Sequence, residues 1–176
     1  MLFAISRVSG TELPTQPARG SISLVSNLAG PLGLAFLAVL LAVVASFTWL
    51  AVRAGRLLGS DPPGSRAALV LAALGSVAAF AALGRVVSPQ YLIWTVPLLA
   101  LAVGWREWWL AGALALANVL TLIEFPAFYG GLVEGESLPV ILTAWRNVAL
   151  LAAVGFALAV LLRRVRGLEA ARATPV

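Results

Sequence analysis

The segment 85–97 (RVVSPQYLIWTVP) carries most of the chemistry that this sequence offers. Arg85, Ser88 and Gln90 place a guanidinium, a hydroxyl and an amide in an otherwise apolar stretch, and Tyr91 follows them directly. Such groups have no use on a lipid-facing helix, because unpaired polar groups in hydrocarbon cost much free energy. We therefore expect the segment to line a cavity or to close a site, and its donors suit an anion.

Simpler roles also fit these residues. Ser88 and Pro89 are preferred at the N-cap and the first position of a helix, so they could do no more than start one. Tyr91 and Trp94 are typical of the aromatic belt at a membrane interface. Gln90 could link two helices by hydrogen bonds.

The composition is that of a polytopic membrane protein. Hydrophobic residues make up 61% of the chain and charged residues 11%, with a mean hydropathy of +1.00, whereas soluble domains have roughly 25% charged residues. All 12 basic residues are arginine, and the sequence has no lysine, histidine or cysteine. This excludes disulfides, thiol nucleophiles, imidazole bases and the usual zinc ligands, and we expect neither a metal nor a cofactor.

The pI of about 11.3 does not point to nucleic acid. The arginines lie at the ends of apolar segments, where they orient a membrane protein. We expect membrane lipid as a partner and no nucleic acid.

We predict an all-α, polytopic fold with about five transmembrane helices. An extracytoplasmic N-terminal tail or remnant covers residues 1–29, with strand-like pieces at 2–8 and 21–25, and a cytoplasmic tail covers 167–176. The helical domain covers 30–166, with spans at about 31–52, 67–83, 86–103, 109–123 and 139–162. The third span is short or partly re-entrant, because its uninterrupted apolar part is shorter than the roughly 20 residues that a crossing needs.

The arginines set the expected orientation. With five spans, eight of them fall on one side: Arg53, Arg56, Arg66, Arg106, Arg163, Arg164, Arg166 and Arg172. The positive-inside rule makes that side cytoplasmic. We therefore expect the C-terminus inside and the N-terminus outside a bacterial cytoplasmic (inner) membrane.

The polar residues of the spans then fall mainly in the outer half of the membrane. They are Ser88, Gln90, Asn118, Thr121, Glu124, Arg146 and Asn147. Helix ends that meet at one depth would form a polar cavity open to the outside, and a helix N-terminus beside Arg85 and Arg146 suits a lipid phosphate. Arg146 could instead snorkel or pair with Glu124, and Asn147 could link helices.

The run from Arg85 to Pro97 resembles the basic-x-x-Ser-Pro-Gln-Tyr-x-x-Trp-x-x-Pro signature in the C-terminal half of bacterial GT-C glycosyltransferases, particularly glycosyltransferase family 87. Residues 122–129 and 146–150 also resemble the last two spans of that family. The resemblance implies a membrane enzyme that transfers a hexose, commonly mannose, from a polyprenyl-phosphate carrier on the extracytoplasmic face. The expected substrate-binding residues are Arg85, Ser88, Gln90, Tyr91, Arg146 and Asn147, and the expected cavity-lining residues are Trp94, Asn118, Glu124 and Tyr129.

The chain departs from the family in one respect that bears on catalysis. The family keeps its essential acidic residue in the first extracytoplasmic loop, and no carboxylate of this chain matches that position. The catalytic residue stays unassigned, with Glu124 as a candidate. We expect a C-terminal portion of a larger enzyme, or a chain that needs an upstream-encoded polytopic half. The alternative is a non-catalytic membrane protein that binds or transports a lipid-phosphate carrier.

Overall fold

The computed structural model of this chain describes residues 15–18, 21–24, 29–59, 62–83, 89–134 and 136–173. Strands β1 (Thr15–Ala18) and β2 (Ser21–Leu24) form an antiparallel pair. The other elements are α1 (Ala29–Leu58), α2 (Pro62–Leu83), a 3₁₀ helix (Pro89–Thr95), α3 (Val96–Gly104), α4 (Trp108–Glu124), α5 (Tyr129–Val133) and α6 (Ser137–Ala173). The described chain is therefore helical apart from one short hairpin.

The hairpin refines the all-α prediction. The predicted strand at 21–25 is confirmed as β2, while the predicted piece at 2–8 lies outside the described residues. Its partner β1 was not predicted, because Pro17 lacks a backbone N–H and made the stretch read as a turn.

Three helices are long and apolar enough to cross a membrane: Gly30–Leu58, Gly64–Leu83 and Ser137–Ala173. Two shorter apolar helices accompany them, Leu92–Gly104 and Trp108–Glu124. These lengths and compositions fit a helical membrane protein, and the five-span count stays a prediction.

The long helices extend beyond the predicted spans. α1 continues through Arg53 and Arg56 to Leu58, and α2 begins at Pro62, where proline is favoured in a first turn. α6 runs through residues 167–173, which we predicted as a tail, and reaches about 55 Å. This extension follows from Arg, Leu, Glu and Ala, all good helix formers, and it is held in place by contacts with α1.

The third predicted span is divided into two elements. A 3₁₀ helix covers its first part, and α3 follows with Pro97 in its first turn. Proline cannot donate the hydrogen bond that would continue a regular helix from the preceding turn, so the break falls at this point. The α-helical part of the predicted third span is therefore only nine residues long, and a re-entrant course stays a prediction.

α4 and α6 form the central antiparallel pair of the bundle. Five of the six buried residues of α4 are spaced alternately four and three apart: Leu110, Leu114, Ala117, Thr121 and Glu124. α6 has the same spacing in Arg146, Leu150, Ala153, Ala157 and Val160. This is the pattern of knobs-into-holes packing, and fully buried alanines on both helices allow close approach.

Contacts across the bundle define an arginine-rich end, made of the eight arginines expected on the cytoplasmic side. Arg163 Nη2 lies 2.8 Å from Glu107 Oε2, and the Arg164 guanidinium lies 4.3 Å from the centre of the Trp105 ring. Arg172 donates to the last carbonyls of α1, which is the favourable place for a cation at a helix C-terminus. The end of α6 is thereby fixed against α1 and the α3–α4 turn.

A second ion pair at this end joins α1 to α6. Arg53 Nε lies 2.6 Å from Glu169 Oε1, although the N–H is not aligned for a hydrogen bond to that oxygen. Since both side chains are partly exposed, the pair contributes little to stability by itself. The pair does, however, connect the end of α1 to the end of α6.

Gly75 lets α2 pack closely on α1. A Cβ atom at this position would lie 2.5 Å from Cζ of Phe47, a side chain with no exposed surface. We predict that Gly75→Ala lowers the free energy of unfolding by about 1–3 kcal/mol, because the fully buried ring must shift to admit the methyl group. Thermal unfolding in detergent measures the change.

Gly112 supplies the matched control for this substitution. It lies within α4 and is exposed, and a Cβ atom there would meet nothing within 4 Å. Gly112→Ala should be neutral or stabilising, since alanine is the better helix former. Equal destabilisation by both substitutions would contradict the close α1–α2 contact.

Candidate functional site

The candidate site is built around a buried ion pair between α4 and α6. Arg146 Nη1 lies 3.1 Å from Glu124 Oε2, and the two side chains are only 3% and 2% exposed. Arg146 is thus paired with Glu124, which is one of the alternatives to phosphate binding that the sequence left open. A charge at this depth in an apolar bundle is costly, so the pair is the most unusual feature of the core.

The antiparallel register of α4 and α6 brings these two charges together. Glu124 ends α4, and Glu107 lies just before its start, 17 residues earlier. Arg163 lies 17 residues after Arg146 on α6. The two pairs, Glu107–Arg163 and Glu124–Arg146, therefore mark opposite ends of one helix contact, separated by about 25 Å.

Asn147 shares the Arg146 guanidinium with Glu124. Its Oδ1 accepts hydrogen bonds from both Nε and Nη2 of Arg146, each at 3.3 Å. A carboxylate and an amide oxygen thus satisfy donors on different sides of the guanidinium. Arg146 and Asn147, which we predicted as lipid-phosphate ligands, are here each other's partners.

A second polar contact links the 3₁₀ helix to α4. Asn118 Nδ2 donates to Thr95 Oγ1 at 3.2 Å and to the Leu114 carbonyl at 2.8 Å, while Thr95 Oγ1 donates to the Leu92 carbonyl at 2.7 Å. Thr95 has no exposed surface. Asn118 therefore ties the 3₁₀ helix to the helix that carries Glu124.

Thr95 is the residue that sequence reasoning missed. It lies within the segment 85–97 between Trp94 and Val96, and no local pattern indicates a hydrogen-bond partner for its hydroxyl. Thr121, one turn before Glu124, is also buried, and it bonds to the Ala117 carbonyl of its own helix. Its hydroxyl is therefore not directed at Arg146.

The structure brings together only part of the predicted site. Arg85 and Ser88 lie outside the described residues, as do the side chains of Gln90, Tyr91 and Tyr129. Glu124, Arg146 and Asn147 are in direct contact, and Asn118 lies on the same helix as Glu124 but contacts Thr95. We call this set, with Thr95, the polar end of the bundle.

Trp94 lines an apolar groove instead of a polar one. The groove has a volume of about 320 Å³ and lies along α1 and α2 beside the 3₁₀ helix. Its lining consists of Leu40, Leu41, Val44, Ser76, Val77, Phe80 and Trp94. The Ser76 hydroxyl is already bonded to the Ala72 carbonyl, so the groove offers mainly hydrocarbon.

Two further carboxylates lie at the polar end. Glu134 and Glu136 flank the link from α5 to α6; both are exposed, and neither has an ion-pair partner among the described residues. No group of three His, Cys, Asp or Glu side chains in the described part of the chain could hold a metal ion. The available chemistry at this end is therefore that of one buried ion pair, amides, hydroxyls and exposed carboxylates.

Comparisons with protein families, with curated proteins and with solved structures give no match to this chain.

The buried pair gives a direct stability prediction. Arg146→Leu or Glu124→Leu alone should lower the free energy of unfolding by about 3–5 kcal/mol, because each leaves an uncompensated buried charge. The double variant should recover most of that loss, since it removes both charges together. Thermal unfolding in detergent, run as a double-mutant cycle, measures the coupling.

The Glu107–Arg163 pair on the same helices is the matched control. Its arginine is 67% exposed, so Arg163→Leu and Glu107→Leu should each cost less than about 1 kcal/mol. Equal losses in free energy of unfolding for the single variants of the two pairs would contradict a stabilising role of the buried pair. So would a double leucine variant at 124 and 146 that is as unstable as its single variants.

Proposed function

We propose that this chain is the C-terminal membrane portion of a glycosyltransferase that takes a hexose, mannose by resemblance, from a polyprenyl-phosphate carrier on the extracytoplasmic face. The observation that supports it is the presence of two hydrogen-bonded polar groups, Thr95–Asn118 and Glu124–Arg146–Asn147, towards the end opposite the arginine-rich end. Buried polar residues at membrane depth are expensive and are retained mainly where a site needs them.

The pairing of Arg146 indicates that different residues of the proposed site have different roles. Its guanidinium already faces Glu124 and Asn147, so we assign Arg146 a positioning role. Phosphate contacts then fall to the segment that carries Arg85, Ser88 and Gln90, and Asn118 connects that segment to α4 through Thr95. Arg85 supplies the charge and the other two supply neutral hydrogen bonds.

The same pairing makes Glu124 unsuitable as a catalytic base. An inverting transfer needs a carboxylate to accept the proton of the acceptor hydroxyl. Glu124 is 2% exposed and bonded to Arg146, and α4 and α6 carry no other carboxylate at this end. The described carboxylates nearby, Glu134 and Glu136, lie in the exposed link outside these two helices. We therefore propose that another segment, such as a partner polytopic half, supplies the base.

The alternative is a non-catalytic membrane protein that binds or transports the lipid carrier. The observation that favours it is again the satisfied Glu124, which leaves a binding site without a free buried carboxylate. Both proposals place the lipid carrier at the polar end, and they differ only in whether sugar is transferred from it.

A binding assay tests the shared part. The chain in lipid vesicles should bind a radiolabelled polyprenyl-phosphate mannose, and Arg85→Gln should weaken that binding about tenfold or more, because it removes a charge-assisted hydrogen bond. Arg66→Gln, which removes one charge from the arginine-rich end, is the control and should bind normally. Unchanged affinity in Arg85→Gln would overturn the proposed phosphate contact.

A transfer assay separates the two functions. With the same labelled donor and an acceptor alcohol, the chain alone should transfer no sugar, and addition of the polytopic partner half should restore transfer. Binding without transfer in both conditions supports the non-catalytic alternative. Transfer by the chain alone would contradict the assignment of the base to another segment.

The proposed orientation has its own test, because the sequence has no cysteine. A single cysteine at Glu134 should react with a membrane-impermeant maleimide in intact spheroplasts, and one at Ala173 should react only after lysis. Both positions are exposed in the structure. The reverse pattern would place the polar end in the cytoplasm and remove the site from the extracytoplasmic face.

A further inference from the structure

The turn between α3 and α4, at the arginine-rich end, has an arginine at the position where such turns normally have glycine. Arg106 has φ of 59°, the left-handed conformation, and it is the one non-glycine residue with positive φ among the described residues. Its N–H bonds to the Val103 carbonyl, and the Glu107 N–H bonds to the Ala102 carbonyl. These two bonds make a Schellman motif, in which Arg106 occupies the place that glycine normally takes.

Arginine at this place costs stability that glycine would not. A side chain in the left-handed region is strained by the contact of its Cβ with the backbone, and glycine has no Cβ. Arg106 is also exposed and has no carboxylate partner among the described residues. The side chain therefore does not stabilise the turn, and a binding role would explain its presence.

The surroundings of the turn are fixed and strongly basic. Glu107 binds Arg163 at 2.8 Å, and Trp105 lies under Arg164 at 4.3 Å, so the residues on both sides of Arg106 are held against α6. Among the described residues, the eight arginines of this end face two carboxylates, Glu107 and Glu169, and both carboxylates already have an arginine beside them. Arginines therefore outnumber carboxylates among the described residues of this end, which suits an anionic ligand.

Two exposed tryptophans identify what kind of anion fits. Trp108 and Trp109 begin α4 and are 64% and 80% exposed. They are followed by exposed apolar side chains along the same helix, among them Leu116, Val119 and Leu122. Tryptophan rings at the end of an apolar helix lie at the headgroup level of a membrane. A ligand that presents phosphate at that level and hydrocarbon beyond it is a phospholipid.

We propose that Arg106 and Arg164, with Trp108 and Trp109 beside them, bind the headgroup of an anionic phospholipid. The two guanidiniums face the phosphate, and the tryptophan rings contact the glycerol and the first acyl carbons. This site lies at the opposite end of α4 from Glu124 and does not depend on the proposed sugar transfer.

Arg106→Gly tests the proposal because its two expected effects have opposite signs. Removing the strain should raise the thermal midpoint in neutral detergent by roughly 2–4 °C. Removing the charge should lower the affinity for dioleoylphosphatidylglycerol about fivefold. Native mass spectrometry of the full chain, titrated with this lipid, measures the affinity, and dioleoylphosphatidylcholine serves as the neutral lipid, whose binding should not change.

Further variants separate this site from diffuse charge attraction. Arg164→Gln should weaken phosphatidylglycerol binding to a similar extent, whereas Arg66→Gln, at the same end, should weaken it less than twofold. Arg106→Asn removes the charge while asparagine tolerates the left-handed conformation, so it should reproduce the loss of binding without loss of stability.

Three results would overturn the proposal. The first is unchanged phosphatidylglycerol affinity in Arg106→Gly. The second is an equal loss in Arg66→Gln, which would show general charge attraction. The third is displacement of the lipid by inorganic phosphate at an equal concentration, which would show an anion site with no preference for lipid.

Discussion

The buried contact between Glu124 and Arg146 is the constraint on which the rest of this bundle depends. Two charges remain ionised in an apolar interior only if they are held together, and this requires α4 and α6 to keep one register over their whole contact. The alternating spacing of buried residues and the second pair at Glu107 and Arg163 satisfy the same register. α1 and α2 then pack on α6, and the short α3 lies between α2 and α4.

This register also separates two kinds of chemistry along the bundle. At one end, arginines exceed carboxylates and lie beside tryptophans, which suits the surface of a membrane. At the other end, amides, hydroxyls and one buried ion pair lie between apolar helices, which suits recognition of a polar group carried by a lipid. The proposed sugar-carrier site and the proposed phospholipid site thus belong to opposite ends of the same helix pair.

Much of this could be predicted from the sequence, because membrane helices follow composition closely. The apolar runs located the helices, the third span was recognisable as short, and the polar residues of α4 and α6 could be assigned to one end. Other features depend on contacts that no local pattern reveals. Pairing with α1 extends α6 to Ala173, the register directs Arg146 to Glu124 and not to a free anion, and Thr95 is significant only because Asn118 reaches it. Arg106 is the clearest case, since nothing in Trp-Arg-Glu indicates a left-handed residue.

The most direct measurement of the central claim is where a sugar-carrier lipid lies on the chain. A polyprenyl-phosphate mannose with a photoreactive group in its first isoprene unit would be irradiated with the full chain in vesicles and its attachment sites mapped by mass spectrometry. The account predicts attachment within residues 85–97 and near the end of α4 that carries Glu124. Attachment at the α3–α4 turn, around Trp105 and Arg106, would contradict it.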